Sequence, residues 1–128
     1  MKIRLQSGSV RYRLRQSDAK NLVMQGIVEE SIALGDQTLV CSLELYDGPP
    51  SLELQGAKFK AAIPQEDTRR WQASDEVGIY YTTATGTRIA VEKDWACLEP
   101  VSGETNEDAF ERPKKASHST AEPQTDHL

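Results

Sequence analysis

Aromatic residues are scarce in this chain, 6% of 128 residues, and cysteine is scarcer, with Cys41 and Cys97 alone. Each cysteine sits among apolar neighbours with no histidine beside it. That excludes zinc-type spacing and fits two small core residues in a reducing compartment. The only histidines, His118 and His127, lie in a polar C-terminal stretch, away from any foldable chemistry. No glycine-rich phosphate loop, no activated serine or cysteine arrangement and no internal repeat is present. No apolar run reaches membrane-spanning length. The opening Met1-Lys2-Ile3-Arg4-Leu5-Gln6 alternates and lacks the apolar block of a signal peptide. The expected location is the cytoplasm, with no membrane partner.

What is present begins with charge. The net charge is −5, unevenly spread. Residues 1–20 hold six basic residues against one acid, a local excess of five. Residues 99–128 hold three basic and seven acidic residues, a local deficit of four. The overall acidity argues against nucleic acid as a partner, while the N-terminal end forms a basic patch.

Ile3 and Leu5 alternate with Lys2 and Arg4, and Val10, Tyr12 and Leu14 alternate with Arg11, Arg13 and Arg15. This period of two predicts two half-buried strands around a Ser7-Gly8 hairpin turn. With those two residues as the loop, the register that follows keeps every apolar side chain on one face: Leu5 opposite Val10, Ile3 opposite Tyr12, Arg4 opposite Arg11 and Lys2 opposite Arg13. Ser17 is the expected N-cap of a helix over 18–25 that stops at Gly26. Strands are then expected over 27–34, along Leu39-Cys41-Leu43-Leu45, at Leu52-Leu54, and at Phe59-Ala61-Ile63. Pro64 suits the first turn of a second helix over 65–73. Val77-Ile79-Tyr81 and Ile89-Val91, the latter running on to Leu98, complete the set. The fold class predicted is α+β: mostly antiparallel strands in a bent sheet or partly closed small barrel, with two short helices. Residues 1–113 form the expected single domain, onto which Phe110 is placed to dock. Residues 114–128 are expected to be disordered, because they hold too little apolar surface to offset chain entropy.

The hairpin carries the sharpest chemical implication. Arg4/Arg11 and Lys2/Arg13 face each other as like charges, which destabilises a strand pair unless something offsets them. One candidate is protein carboxylate: Glu92 and Asp94, sharing a face of the last strand, or Glu29, Glu44 and Glu53. The other is an anionic ligand held by arginine forks at Arg4, Arg11 and Arg13. Glu92 and Asp94 admit a second reading as Mg²⁺ ligands, though spacing specifies no third oxygen. Lys93 falls on the apolar side with Val91 and Trp95, either snorkelling along an edge or marking where the strand leaves the core. Trp71 and Trp95 read as packing. Tyr80 faces outward, where its ring is in a position to stack a base.

Lys2-Ile3-Arg4, the Ser9–Leu14 run, Val77-Gly78-Ile79 and Val91-Glu92-Lys93-Asp94-Trp95-Ala96-Cys97-Leu98 together resemble a family of small uncharacterised bacterial proteins. The resemblance spans residues 1 to about 113 and implies no activity. Arg11-Tyr12-Arg13 and Glu92-Lys93-Asp94 are also similar to elements of the triphosphate-tunnel (CYTH-type) enzymes, although the Glu-x-Glu-x-Lys signature is absent. That likeness implies a metal-dependent phosphohydrolase or polyphosphate binder, with Arg4, Arg11 and Arg13 on phosphate and Glu92 with Asp94 on Mg²⁺. The leading expectation is instead a non-catalytic binding or interaction module without a cofactor. Its partner would be a protein, a small anion, or a second copy meeting an exposed strand edge.

Overall fold

The computed structural model describes residues 1–95 and Phe110. The expected domain end at 113, the tail over 114–128, Cys97 and both histidines lie outside the described residues. The elements run β1 (Lys2–Gln6), β2 (Ser9–Leu14), α1 (Gln16–Gln25), β3 (Ile27–Leu34), β4 (Gln37–Tyr46), β5 (Ser51–Gln55), β6 (Lys58–Pro64), α2 (Gln65–Gln72), β7 (Gly78–Thr82) and β8 (Arg88–Lys93). The chain is an α+β protein of two short helices and mostly antiparallel strand pairs, as its alternation predicts. The strands divide into two four-stranded sheets, β1-β2-β8-β7 and β3-β4-β6-β5, and no barrel closes among the described residues.

The β1–β2 register is the predicted one at every pair, from Lys2 opposite Arg13 to Leu5 opposite Val10. Gly8 takes a φ of 81° in the turn, a conformation that costs a glycine nothing. Helix α1 starts earlier than expected, and its N-cap is Arg15 rather than Ser17. The reason is local: Asp18 reaches back so that the Arg15 backbone N–H donates to its Oδ2 at 3.0 Å. Gly26 ends the helix in the left-handed conformation, as predicted. Pro64 serves as the N-cap of α2 rather than its first turn, and its carbonyl accepts from Thr68 Oγ1 at 3.0 Å.

The element order repeats: β-β-α-β-β over the first half and again over the second. Each half contributes one hairpin to each sheet, and the halves join through parallel central pairs, β2 with β8 and β6 with β4. The helices carry the chain between the sheets and pack on one another. Their buried positions correspond: Ala19 and Leu22 in α1, Thr68 and Trp71 in α2, at the same offsets from each helix start. The sequence hides this repeat because the shared feature is burial, not residue identity. Between the sheets lie Val10, Tyr12, Leu14, Leu43, Ile63, Ile89 and Val91. The Tyr12 hydroxyl crosses from one sheet to donate to Ser42 O of the other at 3.2 Å. Burial, and secondarily Cys41, pushes the Tyr12 phenol far above its ordinary value, so it stays a neutral donor.

Strand β8 stops at Lys93, short of the expected Leu98. Lys93 is 4% exposed, on the core face of the sheet. Its Nζ donates to the Ser74 carbonyl and sits 5.6 Å from the Trp71 ring, 5.7 Å from Trp95 and 5.3 Å from Phe110. Phe110 docks back as expected: its N–H donates to Asp94 O at 2.8 Å and its ring meets Trp95 edge-on at 5.9 Å. Desolvation holds the Lys93 ammonium below the ordinary lysine pKa, against the upward pull of Asp75 and Glu76.

That direction has a consequence for stability. With its folded pKa depressed, Lys93 binds fewer protons in the native than in the unfolded state within the window between the two values. Its contribution therefore becomes more favourable as pH rises through that window. Under the repeat, Lys93 corresponds to the apolar Leu45. Lys93→Met is therefore expected to stabilise the protein by about 1–2 kcal/mol at neutral pH, because an apolar side chain of similar length replaces a buried charge. The gain should shrink as pH rises toward the ordinary lysine pKa of about 10.4, because the native lysine loses its proton before the unfolded one does. Tyr12, Cys41 and Tyr81, whose native values are also raised, are common to both proteins, so the difference in urea-unfolding free energy isolates Lys93. A destabilised variant, or a gain that ignores pH, contradicts this account.

Candidate functional site

The outer face of the β1-β2-β8-β7 sheet is built in cross-strand rows. One row reads Arg4–Arg11–Ala90–Tyr80, and the next Lys2–Arg13–Glu92–Gly78. The parallel β2–β8 pair brings the carboxylate of β8 beside the arginines of β2. Arg11 Nε lies 3.6 Å and Arg13 Nε 3.8 Å from Glu92 Oε1. Lys2 Nζ lies 3.5 Å from Asp94 Oδ2. The like charges of the hairpin are thus offset by protein carboxylate, one of the two solutions the register demanded. Glu29, Glu44 and Glu53 are not part of it. They lie on the other sheet, since α1 has already carried the chain across, and Glu44 and Glu53 pair with Lys60.

Burial separates the members. The Arg11 and Glu92 side chains are only 3% and 4% exposed, whereas Arg13 is 41% exposed. Tyr80 donates its hydroxyl to Glu92 Oε2 at 2.9 Å. Gly78 makes this possible: a Cβ there would stand 2.8 Å from the Tyr80 hydroxyl, 2.8 Å from Val91 O and 2.9 Å from Glu92 Cγ. Lys2, Ile3, Arg4, Arg11 and Arg13 line a groove of about 310 Å³ above this network. Among the described residues, four cations, Lys2, Arg4, Arg11 and Arg13, gather here with two carboxylates, Glu92 and Asp94.

The structure brings all five residues singled out from the sequence to one end of one sheet. Arg4, Arg11 and Arg13 line the groove, Glu92 lies beneath it, and Asp94 stands beside Lys2. Asp94 is not in the strand: its N–H donates to Leu14 O at 2.9 Å beyond the end of β8. Both carboxylates are engaged by cations. Among the described residues no group of three or more His, Cys, Asp or Glu is placed to hold a metal ion.

Sequence reasoning missed the Tyr80–Glu92 hydrogen bond and the Gly78 cradle, which depend on the β7–β8 register, and the aromatic surroundings of Lys93, which depend on how α2, Trp95 and Phe110 pack against the end of β8. It also missed an exposed cluster beyond Tyr80. There Arg70 Nε donates to Glu76 Oε1 at 2.8 Å, and Tyr81 donates to Asp67 Oδ2 at 2.8 Å. The Arg70 hydrogen bond holds the Glu76 carboxyl below its ordinary range, while burial and the Asp67 contact push the Tyr81 phenol up. This cluster and Gly78, Ile79 and Tyr80 border an open depression of about 250 Å³.

The chain belongs to the family of unknown function DUF7009, whose pattern matches residues 1–114. No curated protein and no solved structure matches it. No helix among the described residues is long and apolar enough to cross a membrane.

Proposed function

We propose that this protein is a non-catalytic binding module that recognises an oxyanion in the groove of Lys2, Arg4, Arg11 and Arg13. The observation that carries the reading is an internal contrast between the two halves. Under the repeat, Arg11 and Glu92 correspond to Lys60 and Glu44, which lie 3.9 Å apart on the other sheet. That second pair is solvent-exposed, and Glu53 adds a second acid to its one lysine. The same backbone thus carries a solvated, acid-rich face in one half and a cation-rich groove over a buried ion pair in the other. A purely structural role needs only the first arrangement. Arginine forks at a groove rim suit phosphate or carboxylate oxygens. A metal-assisted hydrolase would need Glu92 and Asp94 for a cation other than the arginines and lysine they already meet, and no observation favours it.

The test is thermal unfolding of the full chain with phosphate, sulfate and acetate, each matched in ionic strength by chloride. A ligand specific for the folded state adds about 2.7 kcal/mol at a hundredfold excess over Kd. Phosphate is expected to raise the midpoint saturably, and an Arg4→Gln/Arg13→Gln variant, altered only at the exposed rim, is expected to lose the rise. Equal midpoints in all four anions would remove the reading.

A further inference from the structure

We infer that the outer edge of β3 is a dimer interface, on which a second copy of this chain adds its own β3 antiparallel across a two-fold axis. β3 belongs to the other sheet from the basic groove, and nothing here depends on anion binding. The two sheets end in four edge strands. β1, β5 and β7 are five residues long, whereas β3 is eight. Proteins commonly blunt a strand edge with lysine, with proline or by keeping it short, because its unpaired N–H and C=O groups are a template for another chain. β1 carries Lys2, and Pro49 and Pro50 precede β5. β3 is long and holds neither lysine nor proline.

The ladder with β4 fixes which backbone groups face outward. Leu45 N–H donates to Gly26 O at 2.8 Å, one step beyond the Ile27–Glu44 pair. Bonded pairs recur at every second residue of an antiparallel ladder. Val28, Glu30, Ile32 and Leu34 therefore direct their N–H and C=O groups to β4, and Ile27, Glu29, Ser31 and Ala33 direct theirs away from it. Among the described residues β3 pairs with β4 alone, and no other hydrogen bond reaches the backbone of those four.

The sequence of β3 then selects a register with its own copy. An axis at Glu29 or at Glu30 sets a glutamate directly opposite itself, and opposed like charges destabilise a strand pair. An axis at Ile32 shortens the overlap. An axis at Ser31 sets Ser31 opposite Ser31, Glu29 opposite Ala33, Glu30 opposite Ile32 and Val28 opposite Leu34, so no like charges face each other. It also joins outward-facing backbone to outward-facing backbone: the Ser31 pair and both Glu29–Ala33 pairs each exchange two hydrogen bonds. Leu34, 58% exposed in the single chain, gains Val28 of the second copy as its neighbour. Glu30 keeps its charge partner within its own chain, 3.5 Å from the Met1 ammonium. The β3-β4-β6-β5 sheets of the two copies become one continuous sheet.

The experiment measures sedimentation of the full chain from about micromolar to about millimolar concentration, the range suited to a small interface. The wild type is expected to pass from monomer to dimer. Ser31→Lys and Ser31→Glu, each at an exposed position, place like charges across the axis and should each stay monomeric. Their equimolar mixture sets opposite charges there and should restore a dimer containing one chain of each. In the wild type, amide exchange at Glu29, Ser31 and Ala33 should slow as concentration rises, while Glu30 and Ile32, already bonded to β4, should not change. This last measurement needs no variant to fold. A wild type that is monomeric throughout overturns the inference. So does a dimer whose formation leaves exchange at Glu29, Ser31 and Ala33 unchanged, or one that persists in both charged variants. Charged variants that are monomeric alone and also when mixed overturn the axis at Ser31, and the inference with it.

Discussion

Glu92→Leu is expected to destabilise the protein by about 3–5 kcal/mol, because it leaves the buried Arg11 guanidinium without its counter-charge. Both side chains are almost fully buried, and Arg11 cannot shed its proton to escape the penalty. The substitution also strips the Tyr80 hydroxyl of its acceptor. Arg13 adds little to the loss, since it is exposed enough to turn to water. The double replacement Arg11→Met/Glu92→Leu should recover most of the loss, because exchanging both members of a buried pair for apolar groups is often neutral or favourable. Glu92→Gln should fall between, keeping a hydrogen-bond acceptor for Tyr80 but not the charge. Urea unfolding at neutral pH, with m unchanged across the set, measures each effect. A Glu92→Leu protein within about 1 kcal/mol of wild type, or a double variant no better than the single, contradicts the assigned burial.

This pair shows how far the sequence could be read. The β1–β2 register followed from two residues of turn and a strict alternation, so the facing of Arg4 on Arg11 was legible in the residues themselves. The need for a counter-charge followed from it. Which carboxylate supplies that charge was not legible. The choice between Glu92 and Glu44 depends on parallel pairing between strands at opposite ends of the chain, and no local signal encodes it. The exchange of hairpins between halves was hidden for the same reason, with Leu22 and Trp71 filling equivalent positions by burial alone. Lys93 was placed on the apolar face by its phase in the strand. Its surroundings needed Trp71 and Ser74, contributed by α2 and the turn after it. Asp94 was misplaced because alternation continues past Lys93 although strand pairing does not. Phe110 was the one large apolar side chain of its stretch, and that isolation was enough to read it as an anchor.

Trp71→Ala is expected to cost about 3–5 kcal/mol, the range for truncating a buried aromatic to a methyl group. Trp71 is the largest fully buried side chain, and it belongs to a short helix that buries little else, only Thr68. Its indole N–H donates to Val77 O at 3.3 Å, which ties α2 to the entry of β7. Trp71→Phe keeps part of the volume but not this donor, so it should lose less than the alanine variant. The change also reaches Lys93, whose Nζ lies over the same ring. A cavity in that position admits water to the ammonium and relieves the desolvation that depresses its pKa. In the Trp71→Ala background, Lys93→Met should then bring a smaller gain, with less dependence on pH, than in the wild type. Denaturant unfolding of the four proteins, repeated at neutral and mildly alkaline pH, measures both the stability loss and the coupling. A gain from Lys93→Met that is the same in both backgrounds would mean that the lysine owes its depressed pKa to Trp95 and Phe110, and that the helix is not part of its environment.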